Sequence, residues 1–462
     1  MLVIISDTHL SDGSTGASID DGAFKIFRDT LRDMAYDASW REDGTYRPVE
    51  SIDLVLLGDI LDIIRSQHWL QPDDVPPSKA VKPWTDSSDP RLADKVEAIA
   101  VDVIANNRRS LATLRELDGD SCVTIPPATP DGKVVRVGWE PNDPRRLRVK
   151  VRRHYMVGNH DWFFHLPGAR FDGIRAMLVR ELGLANPADK PFPHETSESQ
   201  ELTRICAEHN VFMRHGDIYD SINYDGNRDR SSLGDAIVTE LLARFPKAVE
   251  DRLRSRVSIE CIRGLKEIDN VRPVQMSPVW IAGVVARTSR NPGEAAAIKG
   301  VWNDMVTGFF LLDFVKQHYA PRYWLTLLTW WFSRLLPLQL VGRILVRFNA
   351  NSAPSSPSYQ NALSEPALAS GSTLTVVYGH THIYQLVPLD SKGLFEQPEE
   401  QIYINSGTWR PYHELAMRHP AQLQFVGYHL FTFLGFYKDG ERRGRSYEVW
   451  NGTLDAHIDQ PG

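Results

Sequence analysis

One short stretch of the chain decides its fold class: Leu54-Val55-Leu56-Leu57-Gly58-Asp59-Ile60-Leu61-Asp62. An apolar run ends here at a glycine, and carboxylates follow at once. A short, partly β-branched run that stops at Gly and Asp is typical of a buried strand. The glycine permits a sharp turn, which would bring Asp59 to the end of that strand. The stretch therefore predicts a strand, a tight turn and a helix that starts at Asp62.

The same pattern of apolar run and polar stop recurs along the chain. It predicts strands at Leu2–Ile5, Tyr155–Val157, Val211–Met213, Thr375–Tyr378 and Ile402–Ile404. Helical sequence lies between them, at Ala23–Met34, Ala93–Leu117, Ser232–Phe245 and Pro292–His318. Strands that alternate with helices predict an α/β fold with a largely covered sheet. In such sheets ligands gather beyond the carboxyl ends of the strands, which is where the polar residues follow.

Composition and charge limit the classes of function. The 462 residues are 42% hydrophobic and 24% charged, as in an ordinary globular protein. The net charge of −7 gives no basic field for a nucleic-acid backbone, so no nucleic-acid partner is expected. Three cysteines are too few for a disulfide framework. The apolar start at Met1–Ile5 lacks a basic leader and a cleavage site, so we expect a cytoplasmic protein.

Five polar motifs follow the predicted strands in a fixed order. They are Asp7-Thr8-His9, Gly58-Asp59-Ile60-Leu61-Asp62, Gly158-Asn159-His160-Asp161, His215-Gly216-Asp217 and Gly379-His380-Thr381-His382. Each motif alone is compatible with an ordinary turn or a capped helix. The last is the most specific, because two imidazoles at i and i+2 on an extended segment can reach two adjacent metal ions from one side. Their ordered occurrence indicates a metal site.

The set resembles the calcineurin-like metallophosphoesterase superfamily, whose signature order is D-x-H, G-D-x-x-D, G-N-H-[DE], H and G-H-x-H. The resemblance covers the motifs between residues 7 and 382 but not the long insertions between them. It implies an α/β fold of the metallophosphoesterase type, a β-sandwich flanked by helices (αββα). It also implies a catalytic domain formed by residues 1–224 and 371–462, with residues 225–370 inserted as a mostly helical cap.

The resemblance assigns metal ligands residue by residue. A first metal ion would be held by Asp7, His9, Asp59 and His382, and a second by Asn159, His215 and His380 with Asp59 shared. A shared carboxylate suits two cations about 3.5–4 Å apart, because it partly screens their repulsion. The nitrogen and oxygen ligand set without sulfur suits Mn, Fe or Zn.

The implied activity is that of a dinuclear-metal-dependent phosphoester hydrolase, in which a hydroxide bridging the metals attacks phosphorus in line. His160 would donate a proton to the leaving oxygen or stabilise charge on the phosphoryl group. Asp62 would orient His160 and keep it protonated. The alternative is a catalytically silent protein-interaction scaffold of the same fold. Because all seven ligand positions carry competent residues, the sequence favours the enzyme.

A weaker similarity concerns the substrate. The segment from His215 to Asp220 and the compact G-H-T-H motif are similar to the bacterial group that includes UDP-2,3-diacylglucosamine hydrolases. The chain departs from that group at His160, where those hydrolases usually carry arginine, and it is much longer. The similarity implies a lipid-linked or nucleotide phosphoester or pyrophosphate as substrate.

The segment Tyr323–Phe348 is strongly apolar and rich in Trp and Leu, with Arg334 and Pro337 interrupting it. Three interpretations remain open: a cap over the mouth of the site, an interfacial helix at the inner face of a membrane, or a membrane span. The span is disfavoured because the motifs continue on both sides. A peripheral membrane contact is therefore an expectation for residues 323–348, whereas the sequence gives no oligomeric state.

Overall fold

The computed structural model describes residues 1–16, 18–70, 79–119, 123–138, 140–318, 330–331, 333, 358–392, 399–416 and 422–458. The strands are β1 (Leu2–Ile5), β2 (Ser51–Leu57), β3 (Thr124–Ile125), β4 (Leu147–Arg148), β5 (Lys150–Met156), β6 (Val211–Met213), β7 (Val271–Arg272), β8 (Thr375–Tyr378), β9 (Tyr384–Lys392), β10 (Glu399–Ser406), β11 (Tyr412–Leu415), β12 (Phe425–Phe436) and β13 (Tyr447–Ile458). The helices are α1 (Asp21–Ala38), α2 (Pro90–Asn106), α3 (Arg108–Arg115), α4 (Ala169–Leu182), α5 (Gln200–Glu208), α6 (Leu233–Ile237), α7 (Arg244–Leu253), α8 (Ile259–Lys266), α9 (Ser277–Thr288), α10 (Pro292–Leu311), α11 (Asp313–Gln317), α12 (Ser358–Ala362) and α13 (Pro366–Ala369). A π-helical turn, Val238–Ala243, joins α6 to α7. The chain is thus of the mixed α/β class that the sequence predicts.

Two mixed sheets organise the chain. The first has the order β5-β2-β1-β12-β11-β7, with β13 also paired to β12, and its β5, β2 and β1 strands are parallel. The second has the order β6-β8-β10-β9, with β6, β8 and β10 parallel. Every strand predicted at a motif is present, since those strands are β1, β2, β5, β6 and β8.

One hydrophobic cluster lies between the two sheets. It contains Leu2, Ile4 and Val55 from the first sheet and Val377 and Ile404 from the second. Side chains on a strand alternate between its faces, so the neighbouring residues of the first sheet point the other way. Those residues pack with helices α1 to α4 in a separate, larger cluster. Helices α12 and α13 contribute to a small cluster on the second sheet. The two sheets therefore face each other, with helices on their outer sides.

Residues between 233 and 330 form a helical cluster of their own. Helices α6 to α10 supply most of it, and Leu423 and Phe425 join from outside the predicted 225–370 insertion. This segment also contributes β7, which pairs in parallel with β11 at the edge of the first sheet. The sequence did not predict that strand. It ties the helical segment to the sheet next to the polar motifs.

Two local predictions were wrong. No helix starts at Asp62, because its backbone N–H donates to Leu10 O and its carboxylate accepts from the Arg65 N–H, which forms a turn instead. The predicted helix Ala93–Leu117 is divided at Asn107, which ends α2 and precedes α3. Separately, the Trp162–His165 segment is a short 3-10 turn whose aromatic side chains are buried in the core.

The apolar segment 323–348 lies outside the described residues, apart from Trp330, Trp331 and Ser333. Trp330 is buried, whereas Trp331 is 39% exposed. Within the described part of the chain, no helix combines the length and the apolar character needed to cross a membrane. The predicted membrane contact stays a prediction.

Candidate metal centre

The five motifs meet where parallel strands end. In the first sheet Ile5 lies beside Leu56, and Leu57 lies beside Met156, so the segments after β1, β2 and β5 leave the sheet at the same edge. In the second sheet Met213 lies beside Val377, and the segments after β6 and β8 leave together as well. Because the sheets face each other, all five motifs converge on one place, as the sequence predicts for strand ends.

Most of the predicted ligand residues have a left-handed backbone conformation. The φ angles are 51° at Asp7, 45° at His9, 53° at Asp59, 68° at His380 and 64° at His382. Residues other than glycine rarely adopt positive φ, although Asp and His tolerate it better than β-branched residues do. Such strain is concentrated at functional sites, where the surrounding structure holds it in place. Five of the seven predicted ligands are therefore held in costly conformations.

The first ligand group consists of Asp7, His9, Asp59 and His382. His9 Nε2 lies 2.9 Å from His382 Nε2, 3.8 Å from Asp7 Oδ1 and 3.7 Å from Asp59 Oδ2. His382 Nε2 is 3.4 Å from Asp7 Oδ1. Ligand atoms that share one metal ion at about 2.0–2.2 Å lie roughly 3.0–3.5 Å apart, and the four distances extend to either side of that range.

The second ligand group consists of Asp59, Asn159, His215 and His380. His215 Nε2 lies 3.2 Å from Asp59 Oδ2 and 3.2 Å from Asn159 Oδ1. His380 Nδ1 is 2.8 Å from the same amide oxygen. Asp59 Oδ2 thus faces both groups, while its Oδ1 accepts the backbone N–H of His160 at 2.7 Å. The carboxylate and imidazoles of each group lie close enough together to hold a metal ion, and Asp59 lies between the two groups.

Hydrogen bonds on the outer side of three imidazoles leave the inner nitrogen free for a metal. His215 Nδ1 donates to Leu57 O at 3.0 Å, and His9 Nδ1 contacts Asp62 Oδ2 at 2.9 Å. His380 uses its other nitrogen, with Nε2 lying 3.1 Å from Asp220 Oδ2. A carbonyl or carboxylate at the outer nitrogen fixes the tautomer of a ligand histidine and raises its basicity. The donor set and these tautomers fit a pair of divalent cations.

Three glycines make room for the ligand groups. A Cβ on Gly158 would overlap Asp59 Oδ1 and lie 2.7 Å from His215 Nε2. A Cβ on Gly58 would lie 2.5 Å from His215 Nδ1, and one on Gly379 would lie 2.5 Å from Asp7 Oδ2. Atoms that are not bonded do not approach so closely, so any side chain here would displace a ligand. The glycines of the motifs are therefore required by the site and not only by the turns.

The charges within the site keep its carboxylates ionised. Burial alone would raise the pKa of Asp7 and of Asp59, but the charge of His215 lowers both below their usual range. Burial would lower the pKa of His215, whereas Asp59 raises it to about 10. Burial would raise the pKa of Asp220, but the hydrogen bond and charge of His380, together with hydrogen bonds from Ile222 and Asn223, lower it below its usual value. Ionised carboxylates are the form that binds cations.

His160 and Asp62 form a pair at the rim of this centre. His160 Nδ1 lies 2.8 Å from Asp62 Oδ1, and the His160 side chain keeps 13% of its surface exposed while Asp62 is buried. Burial would lower the pKa of His160, but the charges of Asp62 and Asp59 raise it to about 9. With Nδ1 engaged by Asp62, Nε2 is the nitrogen left to donate a proton to a bound substrate.

Three arginines from distant parts of the chain form an arginine cluster beside the site: Arg65, Arg272 and Arg410. Arg272 Nη2 lies 3.0 Å from His382 Nδ1. Arg410 donates to Asp269 Oδ2 at 2.5 Å, and Arg65 Nε is 3.2 Å from the same oxygen. Arg65 is 1% exposed, and within the described part of the chain its guanidinium nitrogens have no hydrogen-bond acceptor. Two of the three guanidinium groups therefore share one carboxylate, that of Asp269.

The structure brings together all nine residues that the sequence singled out as metal ligands or catalytic groups. Asp220 and the arginine cluster were missed as functional residues. Asp220 lies only five residues after His215, so the carboxylate near a histidine was a usable signal. Nothing local marks the arginines, because β7 brings Arg272 to the site from within the helical segment.

The chain matches no protein-family model and is similar to no curated protein. The geometry of its own residues therefore has to support any assignment of function.

Proposed function

We propose that the chain has a metallophosphoesterase-type fold and is a metal-dependent phosphoester hydrolase with a dinuclear centre. The observation that carries the proposal is the position of Asp59, whose Oδ2 atom lies 3.7 Å from His9 Nε2 and 3.2 Å from His215 Nε2. A carboxylate oxygen between two ligand groups suits a shared ligand of two cations. The two facing sheets with outer helices support the proposed fold.

Asp7, His9, Asp59 and His382 would hold one cation, and Asp59, Asn159, His215 and His380 the other. Manganese, iron and zinc are all compatible with this nitrogen and oxygen set. When bound, two such ions lower the pKa of water and withdraw charge from phosphoryl oxygens.

His160 supplies the protein's own proton. At neutral pH it is charged, because Asp62 and Asp59 raise its pKa to about 9 against the effect of burial. Its free Nε2 can donate to the leaving oxygen of a phosphoester or stabilise the charge that develops on it. Asp62 keeps the ring oriented through the 2.8 Å contact to Nδ1.

The substrate is anionic. Arg272 lies next to His382, and the arginine cluster has only Asp269 in direct contact among its described ion pairs. Guanidinium groups suit phosphate oxygens by their charge and their planar array of donors. This supports a phosphoester or a pyrophosphate as the substrate. The lipid-linked and nucleotide candidates both belong to these classes.

The test is hydrolysis by the reconstituted protein. The chain is stripped of metal with a chelator, loaded with Mn²⁺, Fe²⁺ or Zn²⁺, and assayed with p-nitrophenyl phosphate and bis(p-nitrophenyl) phosphate. We expect turnover that depends on the added metal and about two equivalents of metal per chain in these two groups. A panel of mononucleotides, cyclic nucleotides and UDP-sugar lipids then identifies the substrate class. Metal binding with no turnover of any of these esters would favour the silent scaffold instead.

A further inference from the structure

A second cluster of histidine and carboxylate lies outside the candidate metal centre: His165, His194 and Asp229, called the outer cluster below. His165 ends the 3-10 turn Trp162–His165, and Asp229 lies in the segment before α6. None of the three lies in the five polar motifs. They come from separate parts of the chain and meet through their side chains.

The spacing of the outer cluster fits a single small cation. Asp229 Oδ1 lies 3.0 Å from His194 Nε2 and 3.9 Å from His165 Nε2. Two ligands of a tetrahedral zinc ion at about 2.0–2.1 Å lie roughly 3.3–3.4 Å apart, and the two distances bracket that value. The imidazole rings lie side by side, with centroids 4.2 Å apart and planes inclined by 35°.

The hydrogen bonding of both rings suits metal binding. His165 Nδ1 donates to Phe192 O at 2.8 Å, so Nε2 is the nitrogen that faces Asp229. A cation between that nitrogen and the carboxylate would be attracted by both. His194 is 5% exposed, and among the described residues its Nδ1 has no hydrogen-bond partner.

An ordinary hydrogen bond explains only half of this arrangement. His194 Nε2 can donate to Asp229 at 3.0 Å, whereas His165 Nε2, at 3.9 Å, is too far from the same carboxylate for a hydrogen bond. Two imidazoles and one carboxylate, with solvent access through the 43% exposed side chain of Asp229, form a three-ligand set with an open position for water. Zinc is the ion that such a set suits best.

We propose that His165, His194 and Asp229 bind a zinc ion that is separate from the dinuclear centre. Bound there, the ion would hold together parts of the chain that are distant in sequence. Arg228, next to Asp229, contacts Asp217 at 2.7 Å and Glu195 at 2.9 Å, so an ion on Asp229 fixes the segment that follows the His215 motif. That segment includes Asp220, which contacts His380.

Zinc content per chain tests the proposal independently of hydrolysis. The full-length protein is saturated with Zn²⁺, passed through gel filtration and analysed by elemental mass spectrometry, together with the Asp229→Ala and His165→Gln variants. We expect each variant to retain one zinc fewer than the unmodified chain. The matched control is Asp102→Ala, since Asp102 pairs with His68 at 2.8 Å but belongs to no three-ligand group among the described residues.

Two results would overturn the proposal. One is an equal zinc content in the unmodified chain, Asp229→Ala and His165→Gln. The other is an equal loss in the Asp102→Ala control. Circular dichroism of each variant identifies misfolding, and the milder Asp229→Asn change replaces any variant that does not fold. The Asp59→Asn variant separates the sites, since it should lose metal from the dinuclear centre while keeping the zinc of the outer cluster.

Discussion

Asp62 Oδ1 accepts a hydrogen bond from His160 Nδ1 at 2.8 Å, with the carboxylate fully buried. The other oxygen of Asp62 lies 2.9 Å from His9 Nδ1. One carboxylate therefore links a predicted metal ligand to the predicted proton donor. In the proposed centre, binding of metal by His9 and protonation of His160 would be coupled through this single side chain.

The first prediction concerns pH. In the proposed mechanism His160 acts in its protonated form, so turnover should fall as pH rises through the pKa of His160. Asp62 and Asp59 raise that pKa to about 9, whereas bound cations lower it. Asp62→Asn removes one raising charge, and the alkaline limb of the rate should move to lower pH. A pH–rate profile with p-nitrophenyl phosphate measures the shift, and metal analysis checks that His9 still binds. An unmoved limb in a fully metallated variant would contradict the role of Asp62.

The second prediction separates catalysis from metal binding at His160. His160→Ala should retain the metal content of the unmodified chain, because the imidazole of His160 bonds to Asp62 and only packs edge-on against the ring of His9, with centroids 4.7 Å apart. Turnover should fall by about 10²–10⁴-fold, as for loss of a general acid. Elemental analysis and steady-state kinetics measure the two quantities. A variant that loses its metals would show that His160 is a ligand and not a proton donor.

The third prediction concerns Asp59, the residue shared by both ligand groups. Asp59→Asn removes the charge between them and should weaken both metal sites and abolish turnover. Calorimetric titration with Mn²⁺ measures the affinity. The comparison variant is Asp7→Asn, which belongs to the first group alone and should leave one site close to normal. If Asp59→Asn turns over at a near-normal rate, Asp59 is not a shared ligand.

The fourth prediction uses a glycine. In Gly158→Ala the new methyl group would overlap Asp59 Oδ1 and press on His215 Nε2, so metal affinity should fall by about tenfold or more. Gly300→Ala is the control, because its Cβ would meet nothing within 4 Å and the change lies in helix α10. That variant should bind metal normally and be about 0.5–1 kcal/mol more stable. Equal affinities in the two variants would show that the site tolerates the methyl group.

The fifth prediction concerns stability at acid pH. Burial lowers the pKa of His209 from 6.5 to about 4, and His209 Nδ1 donates to Ile205 O at 2.8 Å. The unfolded chain therefore binds more protons between those pH values. The contribution of the neutral ring to the free energy of unfolding is complete above pH 6.5 and is lost as pH falls towards 4. It amounts to about 3 kcal/mol in total.

His209→Gln should abolish that part of the pH dependence. The measurement is urea unfolding of both proteins at pH 7 and pH 5, with the difference in unfolding free energy compared. His68→Gln is the control, since His68 is partly exposed and pairs with Asp102 at the surface. A pH dependence unchanged by His209→Gln would show that other groups carry it.

The sequence predicted the strands and the residues that follow them because those features are local. An apolar run, a glycine and a carboxylate within nine residues contain enough information to predict β2 and the place of Asp59. The convergence of His9 and His382 could be inferred only from the order of the motifs. The dinuclear function itself stays a proposal, since donor spacing supports metal binding without identifying the metal.

What the sequence missed depends on contacts between distant parts of the chain. Strand β7 has only two residues and pairs with β11, which lies about 140 positions later, so no periodic pattern marks it. Arg272 and Arg410 are brought together by that pairing and by Asp269. The turn after Asp62 was taken for a helix start, because a carboxylate at that position suits either structure until its partners are known.

The division of the ligands between two sheets has a consequence for how the chain folds. Asp7, His9, Asp59 and Asn159 follow strands of one sheet, whereas His215, His380 and His382 follow strands of the other. Neither sheet alone carries all the proposed ligands of either cation. If the centre binds metal as proposed, added metal should raise the unfolding midpoint by mass action, because the ligands come together only when the two sheets are docked.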